Sequence, residues 1–340
     1  MTFVRNAWYV VAWSRDLADR PLGLRVLNED IVVYRTAAGS VAALEDQCPH
    51  RRLPLSMGRI RGDAIECGYH GMTFGPDGRC VRIPGQSNLP DSAFVRSYPV
   101  HEAHGVVWVW TGDPAAVTPV HDLSAYLGSD RALEYGDSLH VRANYLHLAE
   151  NLCDPAHVAF VHPTTLGNPE SEGVPVDVVR QDRTVITSRW IRNAPPIGFF
   201  KAFGGFAGMV DRWHYYHFHA PNIAVIDFGS IETSRHATEA DRDEGVRLYA
   251  MHFLTPVSGT ETVDHWAHSR NIGLDDPGIG ERMNTQLRVA FDEDKAILEA
   301  IQRREDLADD RRPVRLAIDR GPNMLRGIIS QMAREEQPGG

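Results

Sequence analysis

"CPHRRLPLSMGRIRGDAIECGYHG", from Cys48 to Gly71, holds two of the chain's four cysteines and two histidines. They fall as Cys48-x-His50 and then Cys67-x-x-His70. Each short stretch supplies one sulfur and one imidazole, so two loops can clamp a small metal centre between them. Gly68 and Gly71 allow the backbone to approach closely. Two cysteines and two histidines suit a tetrahedral zinc ion. They equally suit a two-iron, two-sulfur cluster in which the histidines hold one iron and the cysteines the other. The spacing separates these cases. Zinc sites usually group Cys with Cys and His with His, the latter roughly three to five residues apart. Here each loop mixes the two, as two loops meeting at a two-iron centre require. Cys80 and Cys153 lie outside the pattern and read as plain thiols.

The totals bound the rest. A chain of 340 residues suggests two domains with separate cores. Hydrophobic residues at 43% and charged residues at 24% are the composition of an ordinary globular protein. A net charge of −10 argues against general nucleic-acid binding, which needs a basic face, and against a basic membrane anchor. The N-terminal "MTFVRNAWYVVAWSRDLADRPLG" has neither the apolar core nor the cleavage site of a signal peptide. No run approaches the ~18 apolar residues of a membrane span. Four cysteines make no disulfide framework, so a reducing, cytoplasmic setting is expected.

The first third reads as short strands and turns. "DIVVYRTAAGSVAALED" and "GMTFGPDGRCVRIPG" are hairpin patterns around Ala-Ala-Gly-Ser and Pro-Asp-Gly. "GDPAAVTPVHDLSAY" has no clear period and marks a boundary near residues 112–130, giving domains of 1–120 and 121–340. Beyond it "ANYLHLAENLCD" is helical in pattern. Strand-like runs follow, among them "DRWHYYHFHAPNIAVIDFG" and "GVRLYAMHFLTPV". Helices are expected over Glu281–Glu305 and Pro322–Glu335, and "EEQPGG" is expected to fray. The fold class is therefore α+β: an all-β N-terminal domain, then helices packed on an antiparallel sheet.

"AENLCDPAHVAFVHPTTLG" carries His157 and His162, five residues apart, after Asn151 and Asp154. On a regular helix positions i and i+5 do not share a face, so the two can meet at one metal only if the helix ends or bulges between them. Pro163 supports an ending, and Asp154-Pro155 reads as an N-cap followed by the first turn of a new helical segment. Alone, the pair would serve as well as packed core residues. An electron-transfer cluster, however, needs an acceptor. A mononuclear iron held by two histidines and a carboxylate, with open positions, is the natural one. "LRVAFDEDKAILEAIQ" offers the carboxylate. Leu287, Phe291, Ile297, Leu298 and Ile301 form one apolar stripe at 100° per residue, and Asp294 falls in its middle, while Asp292, Glu293 and Lys295 point elsewhere. A core-facing carboxylate is costly unless paired with a cation or bound to metal, which selects Asp294. His217 and His219 would share a strand face and either line a pocket or pack in the core. His252 is a candidate to meet a substrate oxygen.

"CPHR", "CGYHG", "NLCDPAHVAFVH" and "FDEDKAILEA" together resemble the Rieske non-haem iron oxygenases. The likeness runs from "NAWYVVAW" through "IPGQ" to "SRNIGLDDP". It is nearest to the branch of vanillate O-demethylase, dicamba O-demethylase and toluenesulfonate methyl-monooxygenase oxygenase components. The resemblance implies an N-terminal Rieske [2Fe-2S] domain with Cys48, His50, Cys67 and His70 on the cluster, then a helix-grip-like catalytic domain. There His157, His162 and Asp294 would bind Fe(II), with Asn151 near the iron. Asp154 would bridge His157 to His70 of a neighbouring subunit in a head-to-tail homotrimer.

The expected function is that of a terminal oxygenase component. Electrons would come from NAD(P)H through a separate reductase of flavin or ferredoxin type, and O2 would be used to O-demethylate a methoxylated aromatic acid. Aryl-methyl hydroxylation and ring dihydroxylation are alternatives within the class. A Rieske redox carrier without oxygenation, or a zinc-stabilised binding protein, would be alternatives from other classes. Arg189, Arg192, Lys201 and Arg212 are equally open as anchors for an acidic substrate.

Overall fold

The computed structural model describes residues 3–307 and 313–337, so the tail expected to fray is described only as far as Gln337. The chain divides into two compact units. One runs to His121 and also takes in Thr255–Gly259 and the chain from Glu336, and the other holds Asp122–Leu254 and Thr260–Glu335. The return of Thr255–Gly259 to the first unit leaves no mark in the sequence. It is tied there by the Leu27 amide, which donates to the Pro256 carbonyl at 2.8 Å.

The first unit is built of antiparallel sheets. Leu22–Val26, Glu29–Arg35, Val41–Glu45 and Ser97–Tyr98 form one of them in that order. Its central hairpin turns at Gly39, whose φ of +85° suits a residue without a Cβ. Four short strands, Arg59–Arg61, Ala64–Glu66, Thr73–Phe74 and Cys80–Arg82, form a second sheet around the Pro-Asp-Gly turn. Between them lies an apolar core of Val32, Tyr34, Leu44, Leu55, Ile65 and Phe74, and Cys48 and Cys67 are buried in it. Trp8–Trp13, Val106–Trp110 and Val100–Ala103 make a third sheet, in that order.

The second unit is one seven-stranded antiparallel sheet with helices. Its strands are Ala132–Val141, Asp177–Gln181, Thr184–Ala194, Val210–His219, Ile223–Glu232, Val246–Ser258 and Glu261–Arg270. The last six form a meander in chain order, and the first pairs with the last. The helices are α1 (Tyr145–Asn151), α2 (Val158–Val161), α3 (Gly198–Phe203), α4 (Ile279–Glu305) and α5 (Arg320–Glu335). α4 packs on Ala132–Val141, α5 on Thr184–Ala194, and α1 against both helices. The central strands are buried along nearly their whole length, because the sheet is covered on both faces. Trp190, Trp213, Tyr215, Ile231 and Ala237 make the cluster on the face away from His214 and Tyr216. No described helix is long and apolar enough to cross a membrane.

Two expectations about the helices need correction. The segment after Asp154 is a turn, and α2 begins only at Val158, with His157 as its N-cap residue. Along α4, Leu287, Phe291 and Leu298 are buried, but Ile297 and Ile301 are 47% and 42% exposed and Gln302 is buried in their place. The buried row Leu287, Phe291, Leu298, Gln302 advances by four, seven and four residues, slightly more than the helical repeat per turn. Such a row is inclined to the helix axis, so the wheel drawn straight along the axis assigns the wrong residues at its far end.

The sheet is tightly fitted at Gly136, where the register with Glu261–Arg270 shifts. A Cβ there would lie 2.3 Å from the Trp266 ring, whose Nε1 is already held by Asp137 at 2.7 Å. Gly136→Ala should therefore destabilise the protein by about 1–3 kcal/mol, the cost of overpacking a filled core. Denaturant unfolding of the catalytic unit measures this, and an unchanged midpoint would show that the ring can step aside.

Candidate active site and metal centres

Cys48 and His50 sit on one tight loop and Cys67 and His70 on another. The Cys48 amide donates to the Leu53 carbonyl at 2.9 Å, and Arg52 returns a bond to the Cys48 carbonyl at 2.9 Å. The Cys67 amide donates to Met72 at 2.8 Å, and Gly71, at φ +73°, closes the second loop onto the Cys67 carbonyl. Both sulfurs are buried and unpaired as disulfides, while His50 and His70 are exposed, their ring centroids 4.7 Å apart. Burial pushes the Cys48 thiol up, and the amides of His50 and Arg51 aimed at its sulfur work the other way. Such amides are what a bound thiolate needs.

This donor set fits a two-iron cluster better than a single ion. Among the described residues, one group brings three ligand atoms within 4.8 Å of one another, and it is not drawn from these four residues. A tetrahedral zinc would require just such closeness. Cys80 is half-buried, and Cys153 is a buried thiol that desolvation pushes up to about 12. Neither belongs to a group of three metal-binding side chains among the described residues.

The close group is His157, His162 and Asp294. The two histidines bracket the single turn of α2, one just before it and one just after. The helix is interrupted as their spacing requires. Gly167 lets the following loop fold back, donating to the His162 carbonyl at 2.8 Å, where a Cβ would strike the Val158 carbonyl at 2.1 Å. Asp294 reaches in from α4. Its Oδ1 is 3.5 Å from His157 Nε2, and its Oδ2 is 3.2 Å from His162 Nε2. Metal bonds of about 2.0–2.2 Å at right angles put neighbouring ligand atoms about 3 Å apart, so the three fit one ion. Burial would raise Asp294, but the bond from His162 and the two imidazoles outweigh it and hold the carboxyl below its usual range. Burial keeps His157 neutral, the ligating form.

Residues around the triad hold it in place. Asn151, the last residue of α1, donates Nδ2 to Asp294 Oδ1 at 2.9 Å. Asp154 accepts the Ala156 amide at 2.7 Å with Oδ1, while its Oδ2 lies 3.9 Å from His157 Nδ1, a buried nitrogen with no other partner. The two oxygens thus divide capping from orienting. Glu293, which the helical wheel turns away from the site, in fact binds His162 Nδ1 at 2.7 Å and takes a bond from Thr165 at 3.3 Å. Its only signal in the sequence is adjacency to Asp294. A carboxylate behind a ligating histidine fixes the ring and raises its basicity. Glu293→Gln should lower iron affinity by about 10–100-fold, and iron retention against a chelator would show it. Unchanged retention would mean that Glu293 only packs.

A cavity of about 520 Å³, its mouth included, opens on the triad between sheet and helices. Leu152, Val158, Ile226, Phe228, Leu287 and Phe291 give it apolar walls, with His214, Tyr216 and His252 as polar breaks. His252 is buried, and its Nδ1 meets Asp264 at 2.8 Å. His217 does not line this cavity. Strand alternation puts it with Trp213 and Tyr215 on the opposite face, and His214 and Tyr216 occupy the place expected of it. His219 shares that outer face, bonded to Thr184 at 3.0 Å.

Known proteins resemble the chain along nearly its whole length. Residues 7–99 match the Rieske [2Fe-2S] domain, and residues 141–335 match the vanillate O-demethylase oxygenase C-terminal domain. The iron–sulfur subunit of the toluene-4-sulfonate monooxygenase system of Comamonas testosteroni is 37% identical, covering 99% of both chains. The vanillate O-demethylase oxygenase subunit of a Pseudomonas species is 34% identical over 98% of this chain and 96% of that one. The crystal structure of dicamba monooxygenase bound to 3,6-dichlorosalicylic acid superposes with a TM-score of 0.92 at 30% identity, covering 99% of both chains. Another form of that enzyme, with non-haem iron and dicamba, matches at 0.85 and 29% identity, again over 99% of both chains. These likenesses, together with a paired Cys/His motif and a two-histidine, one-carboxylate triad, show that the chain belongs to the Rieske non-haem iron oxygenases, as a monooxygenase oxygenase component with a catalytic domain of the vanillate O-demethylase type.

Proposed function

We propose that this oxygenase component removes the methyl group of a methoxylated aromatic acid, with electrons drawn from NAD(P)H through a separate flavin- or ferredoxin-type reductase. The observation that carries the reading is the triad opening onto a cavity with largely apolar walls. The relatives named for vanillate and dicamba demethylation support it. When bound, a Rieske cluster supplies single electrons and a mononuclear ferrous iron supplies oxygen activation. In sum, the aryl methyl ether, O2, two electrons and two protons give the phenol, formaldehyde and water.

The chain's own residues bind and orient. Leu152, Val158, Ile226 and Phe228 hold the ring and exclude water. His252, fixed by Asp264, lines the cavity beside them. Asn151, Glu293 and Asp154 hold Asp294, His162 and His157 in place. In a head-to-tail homotrimer, the free side of Asp154 would face His70 of a neighbouring subunit.

A second reading is hydroxylation of an aryl methyl group, favoured by the 37% identity to the toluene-4-sulfonate monooxygenase subunit. Incubating the reconstituted protein with a compatible reductase, NADH, and a panel of methoxybenzoates and methylated aryl acids separates them. Formaldehyde equal to the phenol formed is the expected result. A hydroxymethyl product without formaldehyde would select the second reading, and a ring diol would overturn both.

A further inference from the structure

The sheet wall of the cavity contains a second polar arrangement. Arg189 and His214 face each other across paired strands, and Arg212 lies on the same face, opposite Ile191. All three are buried, with Arg189 4% and Arg212 0% exposed. Arg189 Nε donates to His214 Nδ1 at 3.2 Å, and its Nη1 donates to the Ser171 carbonyl at 3.0 Å. Arg212 Nη2 bonds Asn168. Arg189 Nη2 and Arg212 Nε and Nη1 have no hydrogen-bond partner among the described residues. Neither guanidinium forms a salt bridge among the described residues, and the carboxylates of Asp154 and Glu170 act on Arg189 and Arg212 only through space. Burial and the neighbouring Arg189 push Arg212 down to about 10. Two buried cations without an ion-pair partner are costly, and an anion close by would offset that cost.

The bond from Arg189 also fixes a tautomer. A guanidinium can only donate, so His214 Nδ1 must accept, and the ring proton sits on Nε2. Burial, with Arg189 and Arg212 beside it, keeps the ring neutral. No hydrogen bond among the described residues uses His214 Nε2. His214 lines the cavity, so Nε2–H is the one polar hydrogen its ring can offer there. His252 is held the other way. Its Nδ1 faces the Asp264 carboxylate, which leaves Nε2 as an acceptor in the neutral ring.

We propose that His214 is the residue that selects an oxyanion-bearing aryl substrate, donating through Nε2–H with Arg189 and Arg212 as the cations behind it. This deepens the functional reading above and rests on its placing of the substrate in this cavity. Carboxylate and sulfonate share the chemistry that such a donor recognises.

The test is anaerobic titration calorimetry of the fully metallated protein with 4-methoxybenzoate, 4-toluenesulfonate and the neutral 4-methoxybenzamide. Wild type should bind at least one of the anions about tenfold or more tighter than the amide. His214→Phe should erase that preference, with the anions losing far more affinity than the amide, whose carbonyl takes only a weaker neutral bond from the same N–H. His214→Gln, which keeps an N–H donor, should restore part of it, and Arg189→Met should weaken it. The two anions separate carboxylate from sulfonate selection. Equal affinity for anions and amide in wild type would overturn the proposal. So would a preference that survives in His214→Phe, or a parallel loss of anion and amide. Where His214→Phe does not fold, the wild-type ratio and the Gln variant decide. Failure of the functional reading shows separately, as an anion that binds but elicits no oxygen uptake with reductase present.

Discussion

Asp294→Asn should keep the cluster spectrum and lose the mononuclear iron. The carboxylate is 14% exposed at its side chain, pairs with both histidines, and accepts a bond from Asn151. An amide brings no charge and turns one donor toward groups that need an acceptor. Removing a partner behind a ligand costs about 10–100-fold in metal affinity or activity. Removing the ligand itself should cost more, so product formation should fall by at least about 100-fold while the Rieske EPR signal stays. Asp292 provides the control. It is half-exposed and pairs with Arg288 at 3.1 Å, and Asp292→Asn should change stability by no more than about 0.5 kcal/mol and leave iron in place. Normal iron content and turnover in Asp294→Asn would remove Asp294 from the metal site.

Asp154→Asn should slow the enzyme without emptying it. Asparagine keeps the oxygen that caps Ala156, so the turn before α2 survives, with a stability change of a few tenths to about 1 kcal/mol. The second oxygen becomes an NH2 facing His157 Nδ1, which then loses the acceptor that lies near it among the described residues. Orientation of that ligand, and the proposed bridge to a neighbouring subunit, both depend on this oxygen. Both metals, and the proposed trimer, should be retained. In a single turnover with substrate and oxygen, oxidation of the reduced cluster should slow by about 10–100-fold. An unaltered rate in the fully metallated variant would mean that Asp154 only caps.

The parts of these sites that could be read from the sequence are those fixed by chain-local geometry. Cys48, His50, Cys67 and His70 lie on two short loops, so their spacing alone brings sulfur and imidazole together. His157 and His162 bracket one turn, and the mismatch of five residues with the helical repeat already demanded a break. Asp294 was legible because a carboxylate amid apolar positions contradicts its surroundings. What was not legible depends on the register between distant elements. Glu293 could be placed only once α2 and α4 were side by side. His214 and Arg189 meet through cross-strand pairing, and "WHYYHFH" carries polar and aromatic residues on both faces, so its parity could not tell His214 from His217. Ile297 and Ile301 failed because a buried row inclined to the helix axis drifts off a straight stripe.

The most direct test of the account is a single turnover of the reduced, fully metallated protein, without reductase, mixed with oxygen and the best-binding methoxylated aryl acid. The account predicts that formaldehyde and the phenol form together, in amounts limited by the reduced cluster, and that the Asp294→Asn variant forms neither. Oxygen consumed and the cluster oxidised with no change in any aryl acid that binds would contradict it.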